Sequence, residues 1–161
     1  MLAKSLIACL IFLTASAPPY LVLAADLSGS VVSVLDGDTI EVLHHRRPER
    51  IRLNGIDCPA KGQAFGKQAK HAVADLAFGK EVTLQRHGYD KYKRTIAEMV
   101  LADGTNVNHT LVKDGWCWWY RKYAPGKRGL ERLEKTARKA KKGLWGAPAQ
   151  VPSWEWRKRN R

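Results

Sequence analysis

Apolar positions recur along this chain in two periods. Val31 to Leu35 and Thr39 to Leu43 are β-branched and alternating, which predicts two short strands joined through the turn pair Asp36-Gly37. After a polar loop from His44 to Pro48, Arg50 to Ile56 alternates again. Ile51, Leu53 and Gly55 fall on one side and Arg52, Asn54 and Ile56 on the other, a third strand. The period then changes. Phe65, Ala69, Ala72, Val73 and Leu76 line one face of a helix over Gln63–Phe78, and Gly79 stops it. Val82–Gln85 and Thr95–Leu101 predict two more strands, separated by a polar segment from His87 to Lys91. Asn106–Lys113 fits a short helix ending at Asp114-Gly115, Trp116–Tyr120 an extended aromatic segment. Leu130, Leu133, Ala137 and Ala140 form the face of a last helix closed by Gly143. The order predicts an α+β, mainly β fold: a five-stranded barrel of the oligonucleotide-binding type with about three packed helices.

The ends read differently. Lys4, the apolar run Leu6–Leu13 and small residues near Ala24 and Ala25 have the layout of a signal peptide over residues 1–24. The expected chain is therefore exported, periplasmic or secreted, with no stable membrane insertion after cleavage. The expected domain is 28–146, followed by a basic, aromatic tail over 147–161 that orders on contact. Export places Cys58 and Cys117 in an oxidising compartment, where one disulfide between them is expected and two buried thiols are the alternative. Two cysteines this far apart do not make a zinc site.

Charge narrows the partner. The 161 residues carry 28 Lys+Arg against 15 Asp+Glu, a formal net charge of +13, with 45% apolar residues. That balance excludes a wholly disordered chain and points to a polyanion, nucleic acid first. Trp116, Trp118, Trp119 and Tyr120 suit stacking on single-stranded bases; barrel core is the competing role.

Acids are scarce, so their clustering matters. Asp36 and Asp38 flank Gly37 in a turn, and Asp57 ends the third strand. Adjacent strands would bring two carboxylates together as a hard oxygen site for Ca²⁺ or Mg²⁺, although Asp-Gly-Asp is also ordinary turn chemistry. Arg52, flanked by core residues, and Arg94 are candidate phosphate clamps.

Taken together, Val34-Leu35-Asp36-Gly37-Asp38-Thr39, Arg52-Leu53-Asn54-Gly55-Ile56-Asp57-Cys58-Pro59 and Asp90-Lys91-Tyr92-Lys93-Arg94 resemble the staphylococcal nuclease-like (thermonuclease) family. The resemblance extends over about residues 28–146. It implies Ca²⁺-dependent hydrolysis of DNA and RNA, leaving 3′-phosphate ends. The expected enzyme is an endonuclease, a monomer that prefers single strands. The resemblance implies that Asp38, Asp57 and the backbone carbonyl of Cys58 hold the metal, and that Arg52 and Arg94 are catalytic. Tyr92 with Lys93, and Tyr120 or Tyr123, would border the nucleotide. Two positions depart from the pattern. Ala60 stands where the family has its general-base Glu, and alanine accepts no proton. Lys93 stands where the family has Gly, so a left-handed turn there would be strained. The expectation is a nuclease weakened at Ala60, with Glu41 or Glu49 as possible stand-ins. The alternative is a disarmed module that binds nucleic acid or another polyanion.

Overall fold

The computed structural model describes residues 26–160; the expected signal segment lies outside them. Five strands close a barrel in the order β1-β2-β3-β6-β5. They are β1 (Leu27–Asp36), β2 (Thr39–His44), β3 (Arg47–Leu53), β5 (Glu81–Tyr89) and β6 (Thr95–Leu101). Two short strands, β4 (Ile56–Asp57) and β7 (Trp118–Trp119), pair beside it. The helices are α1 (Gly66–Ala77), α2 (Val107–Lys113), α3 (Arg128–Lys139) and α4 (Ser153–Arg159), with a 3₁₀ turn at Gly143–Gly146. The barrel and the first three helices match the expected architecture.

Three local expectations change. The polar loop after β2 is a two-residue turn, His45 and Arg46, both with positive φ, and β3 already starts at Arg47. Its first residues are exposed and polar, so no alternation marked them. The strand expected to end at Gln85 runs to Tyr89, paired with β6 from Val82 onward with one irregularity between Arg86 and Gly88. The C-terminal segment folds into α4.

Closure depends on one parallel pairing. β3 lies parallel to β6, with Ile51 opposite Thr95 and Arg52 opposite Ile96. Arg52 also faces Thr39 across the antiparallel β2–β3 pair. The β1–β2 turn, the end of β3 and the start of β6 therefore meet at one edge. Alternation does the rest: Ile51 and Leu53 are fully buried, as are Ile40, Val42, Leu84 and Met99, and Arg52 points the other way. Burying such side chains stabilises by about 1.5–3 kcal/mol each.

Two devices hold that edge. A disulfide joins Cys58 to Cys117 across 59 residues. It packs against the β1–β2 turn so closely that a Cβ on Gly37 would lie 2.7 Å from Cys58 Cβ and 2.8 Å from Ala69 Cβ, so only glycine fits. Cross-linking a loop of this length stabilises by about 4 kcal/mol on the chain-entropy account. The second device is buried Asn108 on α2. Its Nδ2 donates to Asn54 O at 2.9 Å and its Oδ1 accepts from Met99 N at 3.0 Å. It fixes the turn after β3, where Gly55 has φ +74° and Gly55 O accepts from Tyr120 N. That turn brings Asp57 back beside Arg52.

Candidate active site

Arg52 is the hub. Its Nη2 lies 2.8 Å from Asp57 Oδ1 and 3.2 Å from Asp38 Oδ2, and its Nη1 donates to Leu53 O at 2.7 Å. Both carboxylates are buried, Asp57 at 1% exposure and Asp38 at 7%. Asp38 Oδ2 also accepts from the Cys58 N–H at 2.8 Å, and Asp38 Oδ1 from Thr39 Oγ1 at 3.1 Å. Asp36 joins from the turn, its Oδ1 accepting from Asp38 N at 3.1 Å.

Arg94 reaches the cluster through a relay. Its Nη1 donates to Thr39 Oγ1 at 3.3 Å, and that hydroxyl donates to Asp38. Asp90 aims it. The Asp90 carboxylate takes Arg94 Nε at 2.7 Å and the backbone N–H groups of Tyr92 and Arg94. Lys93, at the apex of this turn, has φ +62°, the strained left-handed conformation expected where glycine is replaced. Such a conformation costs a non-glycine residue about 1–2 kcal/mol.

The electrostatics follow from crowding. Burial pushes the Asp38 carboxyl up, but the Arg52 guanidinium and the Cys58 N–H outweigh it and hold it below the usual carboxylate range. Burial and then the Asp38 charge push Asp57 upward, against the pull of Arg52 and Arg157. Asp36 rises to about 6, through burial first and the Asp38 charge second.

Next to the cluster lies a cavity of about 610 Å³, walled by Asp36, Thr39, Glu41, Tyr92, Lys93 and Arg94 among others. Tyr92 is exposed, with Lys91 and Arg94 near its ring face. Glu41 is on this wall, paired with Arg50 at 2.9 Å; Glu49 lies elsewhere, accepting from Thr95 Oγ1. Ala60 sits in the loop before α1, its N–H donating to Gln63 Oε1 at 3.0 Å. Trp118 and Trp119 are core. Tyr120 lies at the site, its hydroxyl held above the usual tyrosine range by burial and then the Asp57 charge. Tyr123 packs on Tyr120 with ring centres 4.9 Å apart and is itself exposed.

Three participants carried no recognised sequence signal: Ser153, Trp154 and Arg157 of α4. Ser153 Oγ donates to Asp57 Oδ2, Arg157 Nη2 donates to the same oxygen at 2.7 Å, and the Trp154 indole stacks on Tyr120. Pro152-Ser153 opening a run with Ser153 and Arg157 four residues apart is a helix-start pattern that could have flagged them.

The donor set is all oxygen. Among the described residues no three His, Cys, Asp or Glu side chains converge as a ready-made metal cage. Two buried carboxylates within 3.2 Å of one cationic nitrogen nevertheless mark a place that favours positive charge. Such ligands suit a hard divalent ion completed by water and backbone oxygens, and not a soft one.

Fold and cluster together define a class: a small barrel of the oligonucleotide-binding type with a buried acid–arginine site at one edge and a cationic rim. The chain belongs to the staphylococcal nuclease homologue family, whose model matches residues 50–147. It is 39% identical over 161 residues to the micrococcal nuclease of Shigella flexneri, covering 94% of this chain and 90% of that protein. It is 43% identical over 138 residues to an uncharacterized endonuclease of Escherichia coli, covering 86% of this chain and 90% of that protein. Protein ParB of Escherichia coli is 40% identical over 143 residues, with coverages of 83% and 81%.

Proposed function

We propose that this protein hydrolyses phosphodiester bonds of DNA and RNA with Ca²⁺, endonucleolytically, at a rate limited by Ala60. The observation that carries the proposal is the Asp38–Arg52–Asp57 cluster with Arg94 joined to it through Thr39. Two buried acids and two arginines aimed at one spot are costly to assemble, and phosphoryl transfer is the chemistry that uses all four.

Asp38 and Asp57, with the Cys58 carbonyl, would hold the divalent ion. When bound, such an ion polarises a phosphate oxygen and lowers the pKa of a water. Arg52 and Arg94 supply the remaining charge, each as a planar fork matched to two phosphate oxygens. Water adds to phosphorus, the bond to the 5′ oxygen breaks, and a 3′-phosphate and a 5′ hydroxyl result. Tyr92 and Lys93 border the cavity where the next nucleotide would lie, and Tyr120 offers a ring face. The attacking water loses its proton to solvent, because Ala60 offers no acceptor. A missing positioned base costs about 10²–10⁴ in rate. The disulfide supports an exported protein, and the basic charge supports one that acts on nucleic acid.

Ala60 also favours a second reading, a binder that holds nucleic acid without cutting it. One experiment separates the two. Single-stranded DNA and RNA are incubated with the protein in Ca²⁺, in Mg²⁺ and in chelator, and product ends are analysed. Ca²⁺-dependent 3′-phosphate ends are expected. Tight, salt-sensitive binding with no products would overturn the nuclease and leave the binder.

A further inference from the structure

At one end of the site described above, Asp57 and Tyr120 are covered by the protein's own C-terminal helix, while the cavity beside Arg94 stays open. We propose that α4 is an intramolecular occupant of the nuclease site, with Arg157 standing where the divalent cation binds Asp57 and Trp154 where a base stacks on Tyr120. Metal and nucleic acid must displace it. The inference rests on the nuclease reading and adds a regulatory element to it.

The argument begins at the Asp57 oxygens. Oδ1 accepts from Arg52 at 2.8 Å. Oδ2 accepts from both Ser153 Oγ and Arg157 Nη2. A carboxylate oxygen has two lone pairs, so Oδ2 has none left for a metal. A guanidinium nitrogen 2.7 Å from that oxygen also places a positive charge where a ligated cation would sit. Arg157 and the metal therefore compete for that oxygen of Asp57.

The second half is aromatic. The Trp154 and Tyr120 rings are stacked, with centres 5.1 Å apart and planes 9° from parallel. Stacking of that kind is how single-stranded nucleic acid engages a protein ring, worth about 1–3 kcal/mol per base. Trp154 uses the Tyr120 face a base would need. Cation and planar ring, Arg157 and Trp154, stand three residues apart on one short helix and reproduce the two things a nucleotide–metal complex brings.

The contact is small. Asp38 is held by its own barrel neighbours, whereas α4 is tied down through buried Ser153, Arg157, the stack, the edge of Trp154 on Trp118 and one bond from Gln63 Nε2 to Val151 O. The Arg157 side chain is 40% exposed, so salt and solvent screen its bond.

The test uses the full chain, Ca²⁺ alone and a short single-stranded DNA. Calorimetry gives the Ca²⁺ affinity of wild type, Arg157→Gln and Arg157→Lys. If α4 is docked in about nine molecules of ten, Arg157→Gln binds Ca²⁺ about tenfold more tightly. Arg157→Lys, which keeps the charge, stays near wild type. In chelator, Trp154→Ala binds the DNA several-fold more tightly. Arg157→Gln that leaves Ca²⁺ affinity unchanged and weakens DNA binding would overturn the proposal and make Arg157 a substrate clamp, with the nuclease reading intact. No Ca²⁺ binding by any of the three proteins would overturn both.

Discussion

Asp38 and Asp57 are chemically the same group a few ångströms from one arginine, yet they are held in opposite ways. Asp38 takes its bonds from the Cys58 N–H, the adjacent Thr39 hydroxyl and Arg52, all parts of the barrel edge. Asp57 shares Arg52 but gives its second oxygen to Ser153 and Arg157, 96 and 100 residues further along the chain. The first carboxylate is set when the barrel closes. The second is placed by β4 and Arg52, but its other oxygen is satisfied only when a seven-residue terminal helix docks. One site thus combines a fixed acid with an exchangeable one, and that is the layout expected of a centre whose loading is controlled.

The largest break in this comparison comes from removing the shared partner. Arg52→Ala is expected to lower any metal-dependent cleavage by 10³-fold or more, since both charge stabilisation and acid placement go. Two buried acids left without their common cation should also cost about 3–5 kcal/mol in denaturant unfolding. Unchanged cleavage in this variant would remove Arg52 from the site. Next in size is Ala60→Glu, which restores a proton acceptor and is expected to raise the rate by about 10²-fold in a single-turnover assay. No gain would mean that the proton already has another acceptor, with Glu41 on the cavity wall the first to test.

A smaller effect sharpens the fixed side. Asp36 beside Asp38 titrates near 6 in the fold against 3.8 unfolded, so folding disfavours its ionised form. The resulting stability cost sets in as pH rises through 4 to 6 and is complete above that window. In chelator, Asp36→Asn should therefore gain about 1 kcal/mol of unfolding free energy at pH 7.5 and nothing at pH 4. Equal gains at both pH values would show a packing effect instead. The smallest expected change is at the rim. Lys93→Gly relieves the positive φ but frees the unfolded chain, a net gain of about 0.5 kcal/mol by thermal unfolding. A loss would show that the Lys93 side chain makes up for its backbone.

Much of the frame was legible because it is periodic. Alternation at Ile51 and Leu53 placed Arg52 on the face opposite the core, and helix spacing through Ala69 and Val73 placed α1. Strand ends were less legible where polar residues pair without burial, as at Arg47–Glu49 and Arg86–Tyr89. The site was legible through motifs more than through physics. Asp38, Asp57, Arg52 and Arg94 stood out by resemblance, and the structure brings them together through a parallel β3–β6 pairing that no local pattern announces. The motif that contains Asp90 does not say that this residue aims Arg94, and Asn108, which pins the Asn54 turn, reads as an ordinary helix residue.

The sequence by itself determined the elements, the buried faces, the excess of positive charge and the two departures at Ala60 and Lys93. These are properties of neighbours along the chain: period, propensity and side-chain chemistry. Tertiary structure alone decided that the two cysteines meet, that Arg52 serves two acids, and that Arg157 closes on Asp57. Those contacts join residues up to a hundred positions apart, and their energies come from burial and charge that exist only after the barrel has closed.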